Sequence, residues 1–112
     1  MTIGNTGLLG AQALPANTGA WVKIYTAPTG YATTAEININ NTNATGAAHI
    51  SWAVSSQSSA PLAAEIRETQ TAVAAGSPLC VTTSVGAGQS VFAQSDTALV
   101  NFLVNGFEES LT

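Results

Sequence analysis

The chain has 112 residues, of which 46% are apolar and only 7% charged, with a formal net charge of −4. One domain of this length holds a modest core, burying roughly 60–70% of the surface its unfolded form exposes. An ordinary soluble domain is about 25% charged, and the only cations here are Lys23 and Arg67, so a counterion-releasing grip on nucleic acid and attachment to an anionic membrane surface are both excluded as expectations.

Residues 1–19 are punctuated by Gly4, Gly7, Gly10, Pro15, Asn17 and Gly19, with Leu8, Leu9 and Leu14 as their apolar points. They read as an extended N-terminal arm that orders only by lying along something else, and its leucines are candidate protein contacts. Met1 to Asn5 lack the basic start and apolar run of a signal peptide, so synthesis in a cytoplasm without general secretion is expected. No stretch reaches the ~18–20 apolar residues of a membrane helix.

Residues 20–112 read as the domain proper. In Trp21 to Thr26, Val22 and Ile24 share one phase while Trp21, Lys23 and Tyr25 share the other, the period of a strand. Trp21, Lys23, Tyr25 and the nearby Tyr31 are candidate contacts on its exposed side. Pro28-Thr29-Gly30 is turn chemistry. Thr33 to Ile39 is a second strand with Ala35, Ile37 and Ile39 inward, and 40–46 a loop whose Asn and Thr side chains bond their own backbone. Ala48 to Ser55 alternates cleanly, with Ala48, Ile50, Trp52 and Val54 on the apolar side.

Leu62 to Thr69 has some helical propensity but is too short to stand as a helix; an irregular strand or a single helical turn is expected. Glu65 and Glu68 flank Arg67 as a local ion pair. Leu79 to Thr83 and Ser90 to Gln94 are strands joined by a turn at Gly86-Ala87-Gly88-Gln89. Cys80, the only cysteine, reads as a small buried hydrophobe. In the last strand, Leu99 to Phe107, Val100, Phe102 and Val104 share one side. Leu99 and Leu103 on the other imply cover on both sides. Short strands at regular spacing with Gly, Pro and Asn between them predict an all-β fold, a single antiparallel β-sandwich, jelly-roll or Ig-like, with the extended arm in front.

Chemistry is sparse. His49 is the only histidine and lies mid-strand on the polar side, with no nucleophile singled out for a triad. Glu108 and Glu109 are adjacent in a strand, point opposite ways and read as a solvated terminus or an intersubunit contact. Gly86-Ala87-Gly88 lacks the lysine of a phosphate loop. Asn38, Asn40, Asn41 and Asn43 offer neutral oxygens with only Glu36 nearby, too little for calcium. No catalytic residue, metal site or cofactor is expected, and no enzyme.

One ordering of segments goes further. A Leu-containing start precedes the strand and turn Trp21 to Gly30 (Trp-Val-Lys-Ile-Tyr-Thr-Ala-Pro-Thr-Gly). A strand closing on Asn40-Asn41-Thr42 follows, then a Gly-x-Gly-Gln hairpin, then an apolar strand ending Gly106-Phe107-Glu108-Glu109. Over about residues 8–109 this resembles the small β-sandwich virion proteins of tailed bacteriophages. The resemblance implies a capsid decoration (cement) protein on the virion surface, made in the host cytoplasm. Its implied partners are the major capsid protein and copies of itself, in a homotrimer. A tail-fibre or baseplate component with receptor or glycan binding is the alternative it implies.

Overall fold

The alternation of apolar and neutral residues folds into eight strands in a computed structural model that describes residues 3–14 and 20–112. In chain order they are β1 (Ile3–Leu14), β2 (Val22–Thr26), β3 (Tyr31–Asn41), β4 (Ala48–Ser55), β5 (Ile66–Val73), β6 (Leu79–Val85), β7 (Ser90–Ser95) and β8 (Val100–Ser110). Two four-stranded sheets result, with strand orders β1-β8-β3-β6 and β2-β7-β4-β5. All pairings are antiparallel.

The pairings nest. β1 meets β8, β2 meets β7, β3 meets β6 and β4 meets β5, as in one long hairpin rolled up on itself. Eight strands connected this way form a jelly roll, which decides between the two expected sandwich types. Between the sheets lie Leu14, Ile37, Ile39, Ile50, Trp52, Val91, Phe102 and Val104, all buried. Each such side chain contributes roughly 1.5–3 kcal/mol by leaving water.

The turns follow their chemistry. The Tyr31 N–H donates to the Pro28 carbonyl at 3.1 Å, and Gly30 takes the positive φ of 85° that the turn needs. The loop after β3 is held as expected by its own amides: Asn41 Nδ2 donates to the Gly46 and Val73 carbonyls, each at 3.0 Å, and the Asn43 N–H donates to Asn41 Oδ1 at 3.0 Å. Leu62 to Thr69 becomes a 3-10 turn, Ala63–Glu65, running straight into β5.

Several expectations are corrected. The arm lies along its own chain: Ile3–Leu14 is a full strand against β8, and Leu14 is buried in the core. Pro15, Asn17 and Gly19 lie outside the described residues. Tyr25 points inward, because Lys23 pairs with Phe92 and Tyr25 with Val91, leaving Ile24 as an extra residue. Such a bulge slips the phase by one and turns every later side chain over. Arg67 does not pair with Glu65 or Glu68; its Nη1 donates to Thr83 Oγ1 at 2.9 Å, tying β5 to β6 across the sandwich. Cys80 is exposed on the outward side of a marginal strand, where Leu79 and Val81 have taken the inward phase. β8 is covered on the side of Val100, Phe102 and Val104, while Phe107 on its other side is 37% exposed and Leu99, just ahead of it, 60% exposed.

On the opposite margin β1 crosses close to β2. A Cβ on Gly10 would stand 2.6 Å from the Ile24 carbonyl oxygen, so only glycine permits this approach.

Candidate functional site

With the core between the sheets, each sheet has one outward side, and the two differ. On the β2-β7-β4-β5 sheet, the register aligns Lys23, Phe92, Ala53 and Ile66 in one row across the four strands. Phe92 and Ala53 are fully buried although they face away from the core. The Lys23 ammonium stands 5.6 Å from the centre of the Phe92 ring, within cation–π range. Beside the row, Ser51 Oγ accepts the N–H of Gln70, whose φ of 52° marks a bulge in β5, at 3.0 Å.

At the end of β4, Glu65 Oε1 accepts the Ser55 hydroxyl and the Leu62 N–H, both at 2.7 Å. These bonds hold its carboxyl below the usual carboxylate range, Ser55 contributing most, and tie the β4–β5 connection back to the sheet. Farther along, the His49 N–H donates to Asp96 Oδ1 at 2.8 Å and His49 Nδ1 lies 2.8 Å from Oδ2. The backbone bond is the largest cause of a lowered Asp96 pKa. This pair orients an imidazole at the surface. Among the described residues no three of His, Cys, Asp and Glu converge in a way that could hold a metal ion.

The outward side of the β1-β8-β3-β6 sheet is open. Leu8 of β1 is 58% exposed and Phe107 of β8 is 37% exposed. Ala11 pairs with Leu103 and Ala13 with Asn101. Together with Gln12, these four residues line a shallow groove of about 240 Å³. Its lining combines Ala11, Ala13 and Leu103 with the amide residues Gln12 and Asn101 and includes no Trp or Tyr. Thr34, Glu36 and Asn38 of β3 and Cys80, Thr82 and Ser84 of β6 extend the surface. Glu36 and Glu109 are its charged groups. A flat, nearly neutral sheet surface with a Leu/Phe strip can bury area against another protein at little desolvation cost.

The predicted contact residues are scattered by the fold. Leu8 lies on the open side. Leu9 packs partly buried against the core, and Leu14 and Tyr25 are core residues. Lys23 covers Phe92 on the other sheet, while Trp21 and Tyr31 are half-buried. Trp21, Lys23 and Tyr25 therefore form no common exposed patch. Ala11, Ala13, Leu103 and Phe107 were missed. The signal for Leu103 is the second apolar phase of the last strand, which the sequence assigns to a covered side, while Ala11 and Ala13 in β1 give no such signal.

Glu108 is a further correction, since it is 2% exposed and not solvated. Its Oε2 accepts the Tyr25 hydroxyl at 2.5 Å and its Oε1 the Asn5 N–H at 3.0 Å; the Tyr25 oxygen also meets Thr33 Oγ1 at 2.7 Å. Burial first, then the bond to Glu108, pushes the Tyr25 pKa up to about 12. One charge-assisted node thus joins β1, β2, β3 and β8. Its role is to hold the roll closed.

No helix among the described residues is long and apolar enough to cross a membrane. Comparisons of the chain with protein-family models, with curated proteins and with solved structures return no match.

Proposed function

We propose that this chain is a bacteriophage capsid decoration protein that binds the major capsid protein and copies of itself through non-covalent surface contacts. The observation that carries the reading is the contrast between the two outward sides. One is filled by the chain's own residues, and the other presents Leu8, Leu103 and Phe107 on a nearly uncharged sheet. The resemblance of its segment order to that of small phage virion proteins supports it, as does a charge content of 7%. Low charge suits dense packing, because neighbouring copies repel little. Stable protein interfaces bury about 1,200–2,000 Å², and contacts repeated over a lattice multiply a modest single-site affinity. The mechanism is mechanical: area buried across a seam between capsomers must be re-exposed before the seam opens.

The tail-fibre or baseplate reading, with a glycan as ligand, would place the sugar in the Ala11–Leu103 groove. Sugar stacking uses an exposed aromatic ring, and the groove lining supplies none, so capsid contact is favoured.

The test is addition of the purified chain to particles that lack it, followed by copy counting and a heat or osmotic challenge. Hundreds of copies per particle and a raised disruption temperature are expected. The double variant Leu8→Lys, Phe107→Lys should stay folded and lose at least about tenfold in particle affinity, since two desolvated charges cost several kcal/mol. A handful of copies per particle, confined to the tail, would overturn the reading.

A further inference from the structure

The four margins of the two sheets are not equivalent. β2 is five residues long, carries Lys23 and is bulged at Ile24. β5 carries Arg67 and Glu68 and breaks register twice. β1 breaks register twice against β8 and contains Gly7 at a φ of 91°. Short length, charge and bulges are the devices that blunt an edge against further pairing. β6 has none of them. Leu79–Val85 keeps unbroken register with β3 over all seven residues and holds no charge, glycine or proline.

Two things are left unfinished along β6. Its outer row of backbone N–H and C=O groups meets no strand among the described residues. Leu79 and Val81 face inward yet remain only half-buried, whereas Thr83 and Val85 of the same strand are buried. One more antiparallel strand would satisfy the backbone and cover the apolar side chains together.

We propose that this strand is β6 of a second copy, paired about a two-fold axis, so that two four-stranded sheets continue as one of eight. A two-fold contact requires a surface that tolerates its own image, and Leu79–Val85 offers no like charges to oppose each other. Full overlap puts Thr82 on the axis and Cys80 opposite Ser84 of the partner subunit. These small side chains fit the ~4.5–5.5 Å Cβ spacing of directly opposed residues. On the outward side the nearest charge is Glu36, which pairs with Thr82 one strand inward, while on the inward side the Arg67 guanidinium is already engaged by Thr83 Oγ1. The image of Glu36 would stand three strand spacings away, ~14 Å, beyond the ~8 Å Debye length at physiological salt.

The pairing goes beyond the decoration reading and uses the backbone margin of β6, whereas that reading rests on the side chains of Leu8, Leu103 and Phe107 on β1 and β8. Sedimentation equilibrium of the full chain should show a concentration-dependent dimer. Thr82→Lys sets two ammonium groups on the axis and should weaken the dimer at least about tenfold, while an equimolar mixture with Thr82→Glu should restore it as a heterodimer. Ser84→Cys, oxidised with a copper–phenanthroline catalyst, should give a covalent dimer through Cys80 of one copy and the new thiol of the other, where the wild type gives none. A wild-type monomer or trimer overturns the pairing, as does a Thr82→Lys dimer of unchanged affinity or equal cross-linking of wild type and Ser84→Cys.

Discussion

Phe92 and Phe107 both lie on the outward side of a sheet, on consecutive strands β7 and β8 in different sheets, and their surroundings are opposite. Phe92 is fully buried in a row with Lys23, Ala53 and Ile66, while Phe107 stands 37% exposed between Thr6 and Thr34. A sheet side that faces away from the core can therefore be completed by its own chain or left for another one. The difference lies in what borders each: the Phe92 ring has the Lys23 ammonium over it, whereas the exposed Leu8 shares the outward side of β1-β8-β3-β6 with Phe107.

The sharpest break of this contrast is a pair of truncations. Phe92→Ala should cost about 3–5 kcal/mol, the price of an aromatic cavity. Phe107→Ala should cost under about 1 kcal/mol, because much of its ring already meets water. Denaturant titration of both variants decides it, and equal losses would erase the distinction between the two sides.

Next in size is Tyr25→Phe, which deprives the buried Glu108 carboxylate of its shortest bond and should cost about 1.5–3 kcal/mol. It also carries a pH signature. An ordinary tyrosine ionises near 10, and Tyr25 is raised to about 12, so the folded state holds this proton more tightly than the unfolded state. Stability from this group is complete below about pH 10 and falls as pH rises through about 12. The fall should vanish in Tyr25→Phe.

The smallest effect belongs to Asp96 on the filled side. Its pKa is lowered by the His49 N–H, so its contribution is present above the ordinary aspartate value of about 3.9 and disappears as pH drops through the folded value. The pair is exposed, and Asp96→Asn should cost no more than about 0.5 kcal/mol near neutral pH. Thermal melts of both proteins should draw together as pH falls below the ordinary aspartate value and converge only below the lowered folded value.

How far the sequence reached depends on phase. β4 was legible because Ala48, Ile50, Trp52 and Val54 alternate without interruption, and all four are in the core. Tyr25 was misread because a bulge at Ile24 leaves no trace in composition; it exists only relative to β7. β1 was taken for an arm since Gly4, Gly7, Gly10, Ala11 and Ala13 give no strong strand pattern, and what makes it a strand is its pairing with β8. Cys80 and Glu108 inverted for the same reason. A thiol is ordinarily buried and a carboxylate ordinarily solvated, but the first landed on a sheet margin and the second beside a buried hydroxyl. The open side of the first sheet was written in Leu103 and Phe107, yet nothing local says whether an outward phase is covered.

The position of β8 has a consequence for how the chain can be made. It is the last strand in order, yet it sits inside its sheet, with β1 on one flank and β3 on the other. Until it leaves the ribosome, β1 has no neighbour and the Asn5–Glu108–Tyr25 node has no carboxylate. β1 thus waits for β8 without a sheet neighbour, and the early strands must be kept apart during that delay. That interval is when chaperones would matter most.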